Sequence, residues 1–185
     1  HGGRGTGVME VRNGGVVEVG GYLGARGTDY QVVEKDEPVD YRSGGAIVLD
    51  DGTIHMMGVD PLSVAGPYAS LTGEGLVDGD VLFGYEGTVA GTGEGITISG
   101  TWSGAGIGEN LTVGGVRVTT DMGPLTLNNV RFADDALVTV AITDLSDANG
   151  LLAYDSSTSL AGTHLEIEVL VFMEDPDWSA QILPP

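Results

Sequence analysis

Three histidines, 27 carboxylates and no cysteine bound the chemistry open to this 185-residue chain. Without a thiol there is no disulfide framework, no thiolate metal site and no Cys nucleophile. His1, His55 and His164 stand apart, and none has a partner at the H-E-x-x-H kind of spacing that puts two ligands on one face. The G-x-S-x-G elbow of Ser-His-Asp hydrolases is missing as well. Paired carboxylates serve as acid and base on a glycosidic bond when they lie about 5 to 10 Å apart. Glu166 with Glu168, or Glu10 with Glu18, would share a strand face. With so many acids such pairs arise by chance, and two Trp, three Phe and six Tyr are few to line a sugar cleft. A hydrated acidic face is the expectation.

Ligand motifs are equally sparse. Residues 144–150 resemble the opening of a calcium loop, but the register fails: Leu145 takes the first ligand place and Ser156 that of the closing Glu. Adventitious cations at Asp144, Asp147 or the Asp50-Asp51 turn are all this implies. The glycine runs 91–95 and 104–108 precede no helical pattern and no G-K-[ST] follows, so they read as turns. No cofactor and no metal site is expected. Asn110-Leu111-Thr112 is a sequon, making Asn110 a candidate glycosylation site if the chain is exported. No apolar run approaches the ~18 residues of a membrane helix, and no basic segment precedes an apolar one at either end. His1 stands where an initiator Met would, so the N-terminus is expected to arise by proteolysis or trimming.

Charge says more about setting than about activity. One lysine, Lys35, and six arginines leave a net charge of −20. A compact state this charged repels itself. Screening relieves that repulsion, since the Debye length shrinks from about 30 Å at 0.01 M salt to about 3 Å at 1 M. The composition therefore points to a halophile's protein, from either a salt-rich cytoplasm or a hypersaline medium. It also argues against nucleic acid as a partner, because seven basic residues cannot offset the repulsion from phosphate.

The elements that would carry these residues have an apolar period of two. Val8 to Arg12, then Asn13-Gly14, then Gly15 to Val19 reads as a hairpin, since Asn-Gly suits a type I′ turn. Ala46 to Asp50, Asp51-Gly52 and Thr53 to Met56 read the same way. Further strands are expected at 81–85, 96–102, 111–119, 125–132 and 137–142, and a long one at 165–173 with one face in the core. Residues 60–75 read as a loop. The one helical candidate, 145–153 behind Asp144, is broken by Gly150. Thr72-Gly73-Glu74-Gly75 recurs as Thr92-Gly93-Glu94-Gly95, and short strands begin at Ile96, Leu111 and Leu125. Their spacings of 20, 15 and 14 residues are too irregular for a solenoid. The expected fold is therefore all-β: an antiparallel β-sandwich or jelly-roll barrel over 1–173 with at most one short helix, and an extended arm at 174–185.

In size, acidity and strand pattern the chain resembles the small single-jelly-roll capsid proteins of icosahedral, membrane-containing viruses of halophilic archaea. The resemblance implies a structural coat subunit, not an enzyme. Its partners would be further copies or a sister coat protein, with no direct membrane insertion. Under that reading Tyr22, Tyr68, Trp102 and Trp178 are candidate interface anchors, although the protein's own core could equally claim them. A secreted cell-surface or glycan-binding β module is the alternative. A carboxylate-dependent glycan hydrolase stands third.

Overall fold

The computed structural model describes residues 6–34, 37–84, 86–142 and 151–169, with side chains described at all of these except 29–42. The described residues form strands joined by turns, with no helix: β1 Thr6–Arg12, β2 Val16–Val19, β3 Gly24–Arg26, β4 Thr28–Glu34, β5 Glu37–Met56, β6 Leu62–Ala65, β7 Ser70–Asp78, β8 Val81–Phe83, β9 Thr88–Gly104, β10 Gly106–Thr119, β11 Leu125–Ile142, β12 Leu152–Tyr154 and β13 His164–Val169. All-β is thus correct. The antiparallel sandwich or jelly roll is not what the pairings give: β4 runs antiparallel to the start of β5, and the other eleven pairings among the described residues are parallel.

These ladders stack coil upon coil. In one column Val8, Ala46, Ser70, Thr88, Ile107, Thr126 and Ala153 lie side by side, one from each of seven successive coils. A full coil has three strand segments, and alternate residues of each face a shared interior. Leu71, Val89 and Leu127 point inward from the first face, Ile54, Val77, Ile98 and Val113 from the second, and Leu62, Val81, Trp102 and Val116 from the third. All are buried. Each such side chain contributes about 1.5–3 kcal/mol when fully buried, so the apolar interior is the main force holding the coils together.

The two Gly-containing turns explain the difference from a sandwich. Asn13 and Gly14 both have positive φ (56° and 70°), and Gly15 N–H donates to the Arg12 carbonyl, as a type I′ turn requires. The turn does not fold β2 back on β1. Asn13 and Gly14 N–H donate to the carbonyls of Asp50 and Asp51 in the next coil, and β1 and β2 both lie alongside β5. Likewise residues 46–56 are one strand bent at Asp51 (φ 57°) instead of a hairpin. Other expectations change with this. Residues 60–75 contain β6 and the start of β7, and 125–132 and 137–142 belong to the single strand β11. Leu152 and Ala153 are in β12, while 143–150, 170–173 and the arm at 174–185 lie outside the described residues.

The local repetition has a structural meaning. Gly73 pairs with Gly91 and Gly75 with Ile96, so the two Thr-Gly-Glu-Gly stretches form the same corner in adjacent coils. At Gly73 (φ 110°) a Cβ would overlap the Leu49 carbonyl, so glycine is required at that position.

Candidate functional site

The outer side of the second face carries a polar row. Glu18, His55 and Asp78 are register partners in the first three coils, and Ser99 follows from the fourth. They share an outward side because they occupy the same phase of the strand alternation, opposite the inward Ile54 and Val77. His55 Nδ1 lies 3.4 Å from Asp78 Oδ2, and Ser99 Oγ donates to Asp78 Oδ1 at 2.8 Å while accepting Gly79 N–H at 3.0 Å. Ser, Asp and His therefore meet, but the carboxylate stands in the middle. A nucleophilic triad needs the imidazole between serine and carboxylate, so that it can take the hydroxyl proton. Here the serine proton is directed to Asp78, and the trio is a polar brace across three coils.

The corner between the first and second faces forms a second row. Asn13, Asp51, Asn110 and Asn129 all have φ between 52° and 57°, a conformation short polar side chains tolerate. Asn129 Nδ2 donates to Asn110 Oδ1 at 3.0 Å, and Asn110 Nδ2 reaches the carbonyls of Gly91 and Gly93 at 3.4 Å each. Asp155 ends the row. Its carboxylate accepts from Ser157 Oγ at 2.6 Å, Thr158 Oγ1 at 2.9 Å, Thr158 N–H at 3.0 Å and Asn129 N–H at 3.1 Å. These bonds, that from Ser157 foremost, hold its pKa down to about 2. Beside the corner, Asp51, Glu74, Glu94 and Thr97 border an open acidic groove of about 490 Å³. No group of three or more His, Asp or Glu side chains among the described residues is arranged to hold a metal ion.

The residues singled out in the sequence are dispersed. Trp102 is in the core at 0% exposure, its ring 4.9 Å from that of Phe83. Tyr22 and Tyr68 are more than half exposed. Arg26 lies 5.2 Å above the Tyr22 ring and donates to its hydroxyl at 2.8 Å. Hydrogen bonds to Ser63 and Arg26 lower the Tyr22 pKa from its ordinary value. Tyr68 takes a positive φ of 65° at the corner that follows β6. Trp178, His1 and the 144–150 segment lie outside the described residues. Half-buried Asn110 uses its amide within the corner, and a glycan on Nδ2 would take the place of one of the two N–H groups directed at Gly91 and Gly93.

Of the two carboxylate pairs, Glu166 and Glu168 keep one face of β13, while Glu10 and Glu18 separate. Glu10 is the register partner of Val48 and Glu18 of His55, on different faces of the stack. Glu168 is engaged by Arg117 at 2.8 Å, whereas Glu166 stands exposed. The His55 row was missed in the sequence because its members lie 37, 23 and 21 residues apart, intervals that mean something only once each coil's length is known. Asn and Asp before apolar runs were the available signal for the corner.

No known protein family, no curated protein sequence and no solved structure matches the chain.

Proposed function

We propose that the chain is a structural module of an extracellular or virion surface in a hypersaline medium, working by association with further copies. The observation that carries this reading is the distribution of side chains on the coil stack. Its flanks bear mainly acidic and small polar residues with scattered apolar ones such as Val8, Val16, Val59 and Ile107, while the last coil exposes Leu165 and Ile167, which continue inward rows that the preceding coils bury in whole or in part. Apolar side chains left uncovered at the end of a stack mark a surface that gains from being covered. A coat subunit remains within this proposal through composition and acidity, but a jelly-roll form draws no support from parallel ladders.

A glycan-binding surface module is the second reading, favoured by the exposed Tyr22 ring with Arg26 above it and by exposed Tyr68. Electron microscopy of the purified chain in molar salt, paired with glycan-array binding, separates the two. Rods, arrays or shells are expected. Discrete monomers that retain a glycan would replace the first reading with the second.

A further inference from the structure

We infer that the chain stacks head to tail: the free edge of β12 and β13 docks on the free edge of β1, β2 and β3 of a second copy. This deepens the self-association reading above and rests on it.

The core column of the third face shows where the stack is open. Val116 and Val138 are 0% and 1% exposed, but their register partner Leu165 in the last coil is 65% exposed. Beside it Val118 is fully buried, whereas Ile167 and Val169 exceed 60% exposure. Thus the inward row continues past the point where any described residue covers it. The backbone is open too. β12 and β13 each pair only with β11, and β1, β2 and β3 pair only with β5 or β6, among the described residues. At that opposite end Val8, Met9, Leu23 and Ala25 line a depression of about 390 Å³.

Charge selects the occupant and its orientation. Up to Arg42 the chain has five basic residues against seven acidic ones; beyond it, two against twenty. The first coil, with Arg12 and Arg26, is nearly balanced, while the last coil presents Asp155, Glu166 and Glu168. A second copy added in the same direction brings the balanced end to the acidic one and continues the parallel ladder. A two-fold contact would instead set β13 against β13, with the glutamates of both copies facing each other at a cost. Head-to-tail contacts do not close on themselves and produce open filaments. Molar salt is needed, because each added copy brings a further −20 of charge.

The test uses the full chain in molar salt, followed by sedimentation velocity over a range of concentrations. Ile167→Asp spoils the apolar row of the last coil, and Val8→Asp sets a carboxylate at the free edge of β1 in the first. Both positions are exposed, and Leu165→Asn is a second last-coil variant should circular dichroism show Ile167→Asp misfolded. Wild type should form species that lengthen with concentration, and each variant alone should stay monomeric. A 1:1 mixture of the two variants should form dimers and nothing larger, since one good end of each remains. Dimers of Val8→Asp alone, a monomeric mixture, or unchanged assembly in either variant would overturn the head-to-tail contact while leaving self-association in place. A wild type that is monomeric throughout would overturn both.

Discussion

At Asp155 a single carboxylate closes the last corner, and its bonding dictates a pH dependence. The folded pKa of about 2 lies below the ordinary 3.8, so the ionised form is favoured by folding. Its stabilisation is complete above about pH 4 and is lost as pH falls toward 2. The stability gap between wild type and Asp155→Asn, from denaturant melts in salt, should hold steady from pH 7 to 5 and narrow below pH 4. A gap that does not change down to pH 3 would disagree. Trp102 has the opposite character. It fills the interior so fully that Gly108 of the next coil can carry no side chain, a Cβ there overlapping the indole. Trp102→Ala should cost about 3–5 kcal/mol. Among the described residues the buried indole N–H has no acceptor, a burden that Trp102→Phe removes. That substitution should therefore cost clearly less, as read from the midpoints of chemical unfolding.

Corners, not strands, decide the architecture at the scale of elements. Asn129 combines a φ of 52° with a side-chain hydrogen bond donated to Asn110 Oδ1. Asn129→Ala should cost about 1–2 kcal/mol by losing both, and Asn129→Gly should recover part of that in the same melts, because glycine accepts the positive φ. Equal losses would mean that backbone conformation is not what the residue supplies. The same corners explain what the sequence could reveal. Strand positions were legible because alternation is local: Val8, Met9 and Val11 lie in β1, and Ile96, Ile98 and Trp102 in β9. The turn at Asn13-Gly14 was legible too, down to the sign of φ. Pairing was not, since a type I′ turn can reverse a strand or turn the corner of a coil, and the choice depends on residues dozens of positions away. The repeat was hidden by mixing columns. Ile96 and Leu111 do stack, but Leu125 belongs to another face, where it pairs with Gly106. Along one column, Ser70, Thr88, Ile107 and Thr126 follow at 18, 19 and 19 residues. The excursion of β4 and the start of β5 stretches the first interval, from Thr6 to Gly44, to 38.

For the whole molecule, the acidic flanks set the conditions under which the stack holds. Successive coils lie about 4.8 Å apart, so acids in neighbouring coils are closely spaced and unscreened repulsion falls along the stacking axis. The melting temperature should rise between millimolar and molar salt, and a constant value would remove the halophile reading. The parallel stack itself is the claim on which the rest depends. A chain without cysteine permits a direct test: Thr97→Cys with Thr112→Cys, register partners on the outer side of adjacent coils, compared with Met9→Cys and Glu18→Cys, which would face each other only in an antiparallel hairpin across Asn13-Gly14. A disulfide requires Cα atoms about 4.4–6.8 Å apart. Under mild oxidation in salt, mass spectrometry should find the 97–112 bridge and no 9–18 bridge; a 9–18 bridge without the 97–112 bridge would contradict the parallel stack.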